Sequence, residues 1–208
     1  MKGGKAVLCD NNDYITYFND SLARIIAPVS KGKENELATA LIEKFKSVEG
    51  ALCAPHREMI SCVGEKVALY LKTLAAIASR RITQLFEFGK PHTRAEVADY
   101  FVGLYIPCET EKISVMLIDA DGAVIDCKIV SDGTISTSEV LPRKILEAAI
   151  SKGSKRVILA HNHPHGSVIP SEEDIKLTAC ITDLLSVAGI KLEYHVIVAG
   201  QEANILEN

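Results

Sequence analysis

Residues 161–174 read His-Asn-His-Pro-His-Gly-Ser-Val-Ile-Pro-Ser-Glu-Glu-Asp, and the neighbouring elements are organised around them. The run Arg156-Val-Ile-Leu-Ala160 comes just before, and its short, β-branched apolar character predicts a buried strand. If that strand continues into His161, the two-residue repeat of a strand puts the imidazoles of His161 and His163 on one face. A proline and a glycine then turn the chain, and Ser171 begins an amphipathic helix. The stretch therefore predicts a strand, a turn and a helix.

Three side chains of this stretch have the chemistry of metal ligands. Two imidazoles and one carboxylate, with a fourth position left for water, are typical of a catalytic zinc site. His161, His163 and Asp174 supply this set. The carboxylate has an alternative explanation, because Ser171 and Asp174 also have the spacing of a capping box. A cap explains neither histidine, so the zinc site is the favoured hypothesis.

The same residues carry a resemblance to a known family. The pattern His-x-His-Pro, followed after seven residues by Ser-x-x-Asp, resembles the JAMM (MPN+) metalloprotease signature. The fuller wording of residues 161–174 resembles the bacterial RadC (JAB-like, UPF0758) family. That family also has a glutamate at the start of the first core strand, in a segment Glu-x-Phe-x-x-x-x-Leu-Asp. Glu111 fills this position through its alignment to Asp119, and Glu109 is the competing candidate.

The resemblance runs from about residue 90 to the C-terminus and implies a fold and an activity. The implied fold class is α/β (α+β), a cytidine-deaminase-like JAB/MPN mixed sheet flanked by helices. The implied activity is that of a zinc-dependent metallohydrolase, which cleaves peptide or isopeptide bonds in a peptide or protein substrate with one Zn²⁺ per chain. His161, His163 and Asp174 would hold the metal. Glu111 would take a proton from the water and pass it to the leaving amine, and Ser171 would help to stabilise the oxyanion.

The N-terminal part predicts a separate, helical domain. Residues 13–88 have helical periodicity with short breaks, and residues 88–91 are the best linker, so we predict domains over residues 1–89 and 90–208. Residues 60–66 resemble a helix-hairpin-helix segment, whose Gly-x-Gly turn exposes backbone amides to a DNA phosphate. Cys62 stands where the first glycine is expected. DNA association, linked to repair, is therefore an alternative function, and a non-catalytic scaffold stabilised by metal is another.

The second part predicts an ordered series of elements. Thr93 and Glu96 make a capping box for a helix to about Tyr105. The following pattern indicates strands at 111–119 and 123–130, then a third short strand or an extended loop at 135–140, and a helix from Pro142 to 152. The central strand at 156–161 comes next, and a last strand is predicted at 192–198. Between these two strands, the helix that begins at Ser171 carries the apolar residues Ile175, Ala179, Ile181, Leu184 and Leu185.

Two further histidines are not assigned as ligands. His165 stands where the family usually has serine, and we expect it to be an exposed loop residue; the alternatives are a substrate contact at the mouth of the site and an adventitious extra ligand. His195 lies within the last predicted strand, and we expect it to be a core histidine or to support a ligand, since three protein ligands are already present.

Charge and composition constrain the expected cellular location and binding partners of the protein. The net charge of −4 is unevenly distributed, with +3 over residues 20–90 and −7 over residues 91–208. Because the half with the metal motif is acidic, we do not expect it to bind nucleic acid. The six cysteines contain no Cys-x-x-Cys pair and read as reduced thiols. No stretch has the length of a membrane span or an export signal, so we expect a cytoplasmic protein without membrane contact. Composition leaves the oligomeric state open.

Overall fold

A computed structural model describes residues 11–132, 140–164 and 166–207, with only the backbone described for residues 11–19 and Glu49. Contacts divide the chain into two compact units, Met1–Leu74 and Ala75–Asn208. The division falls inside one long helix. The predicted domain boundary between residues 89 and 90 stays a prediction.

The first unit is helical, as predicted. Its helices are α1 (Asn11–Ser30), α2 (Glu34–Phe45), α3 (Val48–Cys53), α4 (His56–Val63) and the first part of α5 (Glu65–Leu85). They enclose a core of aliphatic side chains that includes Leu22, Leu41, Met59 and Leu71. Gly64 separates α4 from α5 with a φ of 79°, a left-handed conformation that glycine adopts without a Cβ penalty.

The second unit contains a five-stranded mixed sheet, in agreement with the predicted fold class. Its elements after α5 are α6 (Arg94–Tyr105), β1 (Lys112–Ile118), β2 (Val124–Asp132), α7 (Val140–Ser151), β3 (Arg156–Asn162), α8 (Glu172–Val187), β4 (Lys191–Ala199) and β5 (Glu202–Leu206). The strand order is β2-β1-β3-β4-β5, so the strand that carries the histidine motif is central. β3 and β4 are parallel, and the other neighbouring pairs are antiparallel.

Helices cover both faces of this sheet because successive strand residues alternate between two cores. Val157 and Leu159 of β3 pack with α7 and α8 on one face. Ile158 and Ala160 pack with α6 on the other face, where the Tyr105 hydroxyl donates to the Ala160 carbonyl at 3.0 Å. The predicted capping box of Thr93 and Glu96 begins α6, as expected. The central strand is thus buried on both sides, which fixes the position of its final residues.

One predicted detail was wrong. The strand at 192–198 is not the last, because the chain turns at Gly200 and returns as the edge strand β5. The residues of β5 are exposed or only partly buried, so β5 lacks the alternation of apolar and polar residues by which a strand is recognised in a sequence. Among the apolar residues of α8, Ile181 and Leu185 are buried, whereas Ile175 and Ala179 are exposed; the buried face of this helix also contains Asp174 and Thr178.

Other predictions fall on residues that the structure does not describe. The extended segment at 135–140 lies outside the described residues, except for Val140, which begins α7. His165 is also outside them. In the described part of the chain, we find no helix with the length and apolar character needed to cross a membrane. The cytoplasmic location stays a prediction.

Candidate metal centre

The three predicted metal ligands meet at the C-terminal end of β3. His161 is the penultimate residue of β3, and the backbone N–H of His163 donates to the Val198 carbonyl at 2.7 Å, which extends the β3–β4 pairing beyond the strand end. The Nε2 atoms of His161 and His163 are 2.7 Å apart. Asp174, the third residue of α8, places Oδ1 3.0 Å from His161 Nε2 and Oδ2 3.4 Å from His163 Nε2.

The Asp174 carboxylate also caps the helix. Its Oδ2 accepts hydrogen bonds from the backbone N–H of Ser171 at 2.8 Å and from the Ser171 hydroxyl at 2.6 Å. The Ser171 Oγ in turn accepts from the Asp174 backbone N–H at 3.1 Å. The capping box is therefore present, and it leaves Oδ1 directed toward His161. Capping and a ligand geometry, which the sequence offered as alternatives, coexist in one side chain.

Burial and hydrogen bonding act in opposite directions on this carboxyl. Burial acts to raise the pKa of Asp174, but its interaction with His161 and the hydrogen bonds that it accepts from Ser171 outweigh burial and hold the pKa well below its usual range. The group is therefore a carboxylate at neutral pH. An ionised carboxylate is the form that binds a metal.

A buried chain of hydrogen bonds fixes the proton on His161. Thr178 Oγ1 donates to the Asp174 carbonyl at 2.6 Å, so it can only accept from Nδ1 of His195, which lies 2.8 Å away. Burial, with a smaller effect of His161, lowers the pKa of His195 to about 3, which keeps this ring neutral. Nε2 of His195 is then an acceptor, and it lies 2.7 Å from Nδ1 of His161. The neutral form of His161 therefore carries its proton on Nδ1 and presents a lone pair at Nε2.

A backbone carbonyl fixes His163 in the same way. Nδ1 of His163 lies 2.7 Å from the Ser167 carbonyl oxygen, which can only accept, so the neutral form of the ring carries its proton on Nδ1 and has its lone pair on Nε2. Two nitrogen lone pairs and the Asp174 carboxylate consequently face one point. Their ligand atoms all lie within 4.8 Å of one another, and the group could hold a metal ion.

The centre opens into a cavity of about 600 Å³. His163, Ser171 and Asp174 line this cavity together with both candidate bases, Glu109 and Glu111. Glu111 is exposed and immediately precedes β1. The structure thus brings the predicted site residues to one place. The choice of Glu111 over Glu109 stays a prediction.

Three groups support the candidate ligands, and sequence reasoning identified one of them and missed two. His195 was expected to be a core or supporting histidine, and it is fully buried against His161. Thr178 was not singled out, although it lies four residues after Asp174 and hence on the same helix face. The carbonyl of Ser167 was missed because a backbone oxygen leaves no signal in residue identity.

Comparison with known proteins identifies a family for the part of the chain that carries the candidate site. The sequence model of the RadC-like JAB domain matches residues 92–207. A UPF0758 protein from Clostridium beijerinckii is 31% identical over 190 residues, covering 88% of this chain and 83% of that protein. A UPF0758 protein from Finegoldia magna is 28% identical over 172 residues, covering 82% of this chain and 71% of that protein. The chain therefore belongs to the RadC-like JAB domain family.

Proposed function

We propose that this protein is a zinc-dependent hydrolase of the JAMM type, which cleaves an amide bond in a peptide or protein substrate. The observation that carries the proposal is the convergence of three acceptors, the Nε2 atoms of His161 and His163 and Oδ1 of Asp174, beside a cavity that His163 and Asp174 line. A single proton would satisfy one pair of these atoms, whereas a divalent cation satisfies all three. Two imidazoles and a carboxylate favour zinc over magnesium or calcium, which prefer oxygen ligands.

The other side chains supply proton transfer and charge stabilisation. When bound, zinc supplies a Lewis acid and lowers the pKa of water from roughly 15.7 toward ~7. Glu111, at the cavity wall, accepts the proton of the attacking water and delivers it to the leaving amine. The Ser171 hydroxyl donates a hydrogen bond to the oxyanion and so stabilises it. For this, the hydroxyl must rotate away from Asp174 Oδ2, to which it donates in the structure.

Metal analysis is the first test. We expect the purified, zinc-loaded protein to contain one zinc per chain by plasma mass spectrometry, and the His161→Ala variant to contain none. The matched control is His56→Gln, which changes a histidine of the helical unit and should retain the metal. If the single variants His161→Ala and Asp174→Asn both retain zinc, the assigned ligands are wrong.

Activity is the second test. The zinc-loaded protein is incubated with a proteome-derived peptide library, and new termini are identified by mass spectrometry. We expect Glu111→Gln to lower turnover by about 10²–10⁴ while the zinc content stays at one per chain, because only the base is removed. Zinc binding without any turnover by the wild type would favour a non-catalytic scaffold. Loss of turnover in Glu109→Gln, but not in Glu111→Gln, would assign the base to the competing glutamate.

A further inference from the structure

The segment that carries Glu111 is held by a side chain from the histidine motif. Asn162 lies between the two imidazole residues and is 3% exposed. Its Oδ1 accepts a hydrogen bond from the Lys112 backbone N–H at 2.7 Å, and its Nδ2 donates to the Thr110 carbonyl at 3.1 Å. The two partners are the residues on either side of Glu111. Each end of the Asn162 amide is therefore used, one on each side of the proposed base.

These bonds replace strand pairing at the point where the strands separate. The β1–β3 pairing runs from Ile118 opposite Arg156 to Ile113 opposite His161, and Lys112 is the next residue of β1. There the Lys112 N–H bonds to the Asn162 side chain instead of to a strand carbonyl. The Asn162 side chain spans a larger distance between the two backbones than a direct backbone hydrogen bond does. It therefore keeps β1 bonded to β3 at the point where the two strands separate.

A second clamp acts on the side chains of the same two residues. Asp132, at the end of β2, accepts from the Thr110 hydroxyl at 3.1 Å and pairs with the Lys112 ammonium at 2.5 Å. Thr110 and Lys112 are thus each held twice, through the backbone by Asn162 and through the side chain by Asp132. Glu111 is left as the residue of the segment that lines the cavity.

We infer that Asn162 and Asp132 are positioning residues, which together hold the Thr110–Glu111–Lys112 segment so that the Glu111 carboxylate stays at the metal centre. The inference rests on the proposed function, in which Glu111 moves the proton. Glu111 itself is exposed, so the neighbours that are clamped must supply its fixed position. A displacement of a reacting group by about 1 Å can cost roughly 10²-fold in rate, which gives such a clamp a measurable effect.

Amide hydrogen exchange tests the clamp without reference to activity. In Asn162→Ala the Lys112 amide loses its acceptor, and its exchange rate in the metal-free protein should rise about fivefold or more. The Ser114 amide, which lies within β1, should exchange at the wild-type rate. Asn162→Asp retains an acceptor for the Lys112 N–H but cannot donate to Thr110, so Lys112 should stay protected in that variant. Unchanged Lys112 exchange in Asn162→Ala overturns the inference.

Kinetics of the zinc-loaded protein test the consequence for catalysis. Asn162→Ala should lower kcat by about 10–100-fold, with KM and zinc affinity within about threefold of the wild type. Asp132→Ala should lower kcat by a few fold, as expected for an exposed ion pair and hydrogen bond. Asp183→Ala is the matched control, because it removes an exposed aspartate from α8 and should leave kcat unchanged. A loss of zinc affinity equal to the loss of kcat would overturn the positioning role.

The two measurements separate this inference from the proposed function. If the wild-type protein hydrolyses no peptide, the proposed function fails, while the exchange experiment still decides whether Asn162 holds the segment. If the wild type is active and Asn162→Ala is equally active, the positioning role fails and the proposed function stands.

Discussion

At the scale of single residues, the candidate metal centre includes side chains that orient the proposed ligands as well as the ligands themselves. Thr178 donates to the Asp174 carbonyl and thereby presents a lone pair to His195. That single hydroxyl determines which nitrogen of His195 carries the proton, and His195 in turn determines the orientation of His161. The affinity for metal should therefore respond to a residue that does not touch the ion.

Replacing Thr178 with valine tests this dependence. The substitution preserves the branched shape but removes the acceptor for His195 Nδ1, so the orientation of His161 is no longer fixed. Loss of such a supporting partner typically lowers metal affinity by about 10–100-fold. We expect this decrease in a competition titration with a zinc-binding dye.

Thr182→Val provides the control for this experiment. Thr182 lies one turn further along α8 and donates to the Thr178 carbonyl at 2.8 Å, the same type of bond. Its replacement should leave zinc affinity within about twofold, which is below the effect of losing a supporting partner. Equal losses in the two variants would attribute the effect to packing of α8 and not to His195.

Ser171 makes a separate prediction, because it contributes to both the helix cap and the proposed oxyanion site. Ser171→Ala should lower the free energy of unfolding by about 1 kcal/mol through the lost cap. It should also lower turnover by about 10²–10³ through the lost hydroxyl. Ser171→Thr keeps the hydroxyl and should retain most of both. A stability loss without a loss of turnover, measured by denaturant unfolding and peptide cleavage, would restrict Ser171 to capping.

At the scale of elements, sequence predicted the parts of the fold that have strong local signals. The capping boxes of α6 and α8 and the central strand β3 were predicted because their signals lie within a few adjacent residues. The buried face of α8 was not predicted, because its inward positions include Asp174 and Thr178, which no hydrophobic pattern selects. Bonds such as that between Asn162 and Lys112 join residues far apart in sequence and appear only once the strands are paired.

The packing of α6 against the end of α5 gives a prediction for one glycine. A Cβ on Gly103 would lie 2.4 Å from Cγ2 and 2.7 Å from Cβ of Ile82, closer than carbon atoms approach. Gly103→Ala should therefore destabilise the protein by about 1–3 kcal/mol despite the better helix propensity of alanine. Denaturant unfolding measures this value. The double variant with Ile82→Ala should lose less than the sum of the single variants, and strict additivity would contradict the close contact.

At the scale of the whole molecule, metal binding and folding of the sheet-containing unit should be linked. A ligand that binds only the folded state stabilises it by about 2.7 kcal/mol at 100 times its Kd. Chelation should consequently lower the Tm of the zinc-loaded protein by several degrees, and added zinc should restore it. The His161→Ala variant should show no such shift in a calorimetric scan. An equal shift in that variant would mean that the ion acts elsewhere.

The helical unit makes a different prediction, about nucleic acid. The hairpin between α4 and α5 retains Gly64, but Cys62 replaces the other expected glycine, and the first residue of α5 is the acidic Glu65. We therefore expect only weak, non-specific DNA binding, with a Kd of about 10⁻⁴–10⁻⁶ M at physiological salt. Fluorescence anisotropy with single-stranded and branched DNA over a range of salt concentrations measures it. Nanomolar binding that is lost in Lys66→Glu would instead support the DNA-associated alternative.

The double use of the Asp174 carboxylate has a consequence for the newly made chain. Oδ2 holds the first turn of α8 and Oδ1 faces His161, so formation of the helix start would also complete the proposed set of metal ligands. A partly folded polypeptide whose eighth helix has not begun lacks the third donor and cannot retain the cation tightly. The proposed hydrolase would therefore become active only after α8 has formed.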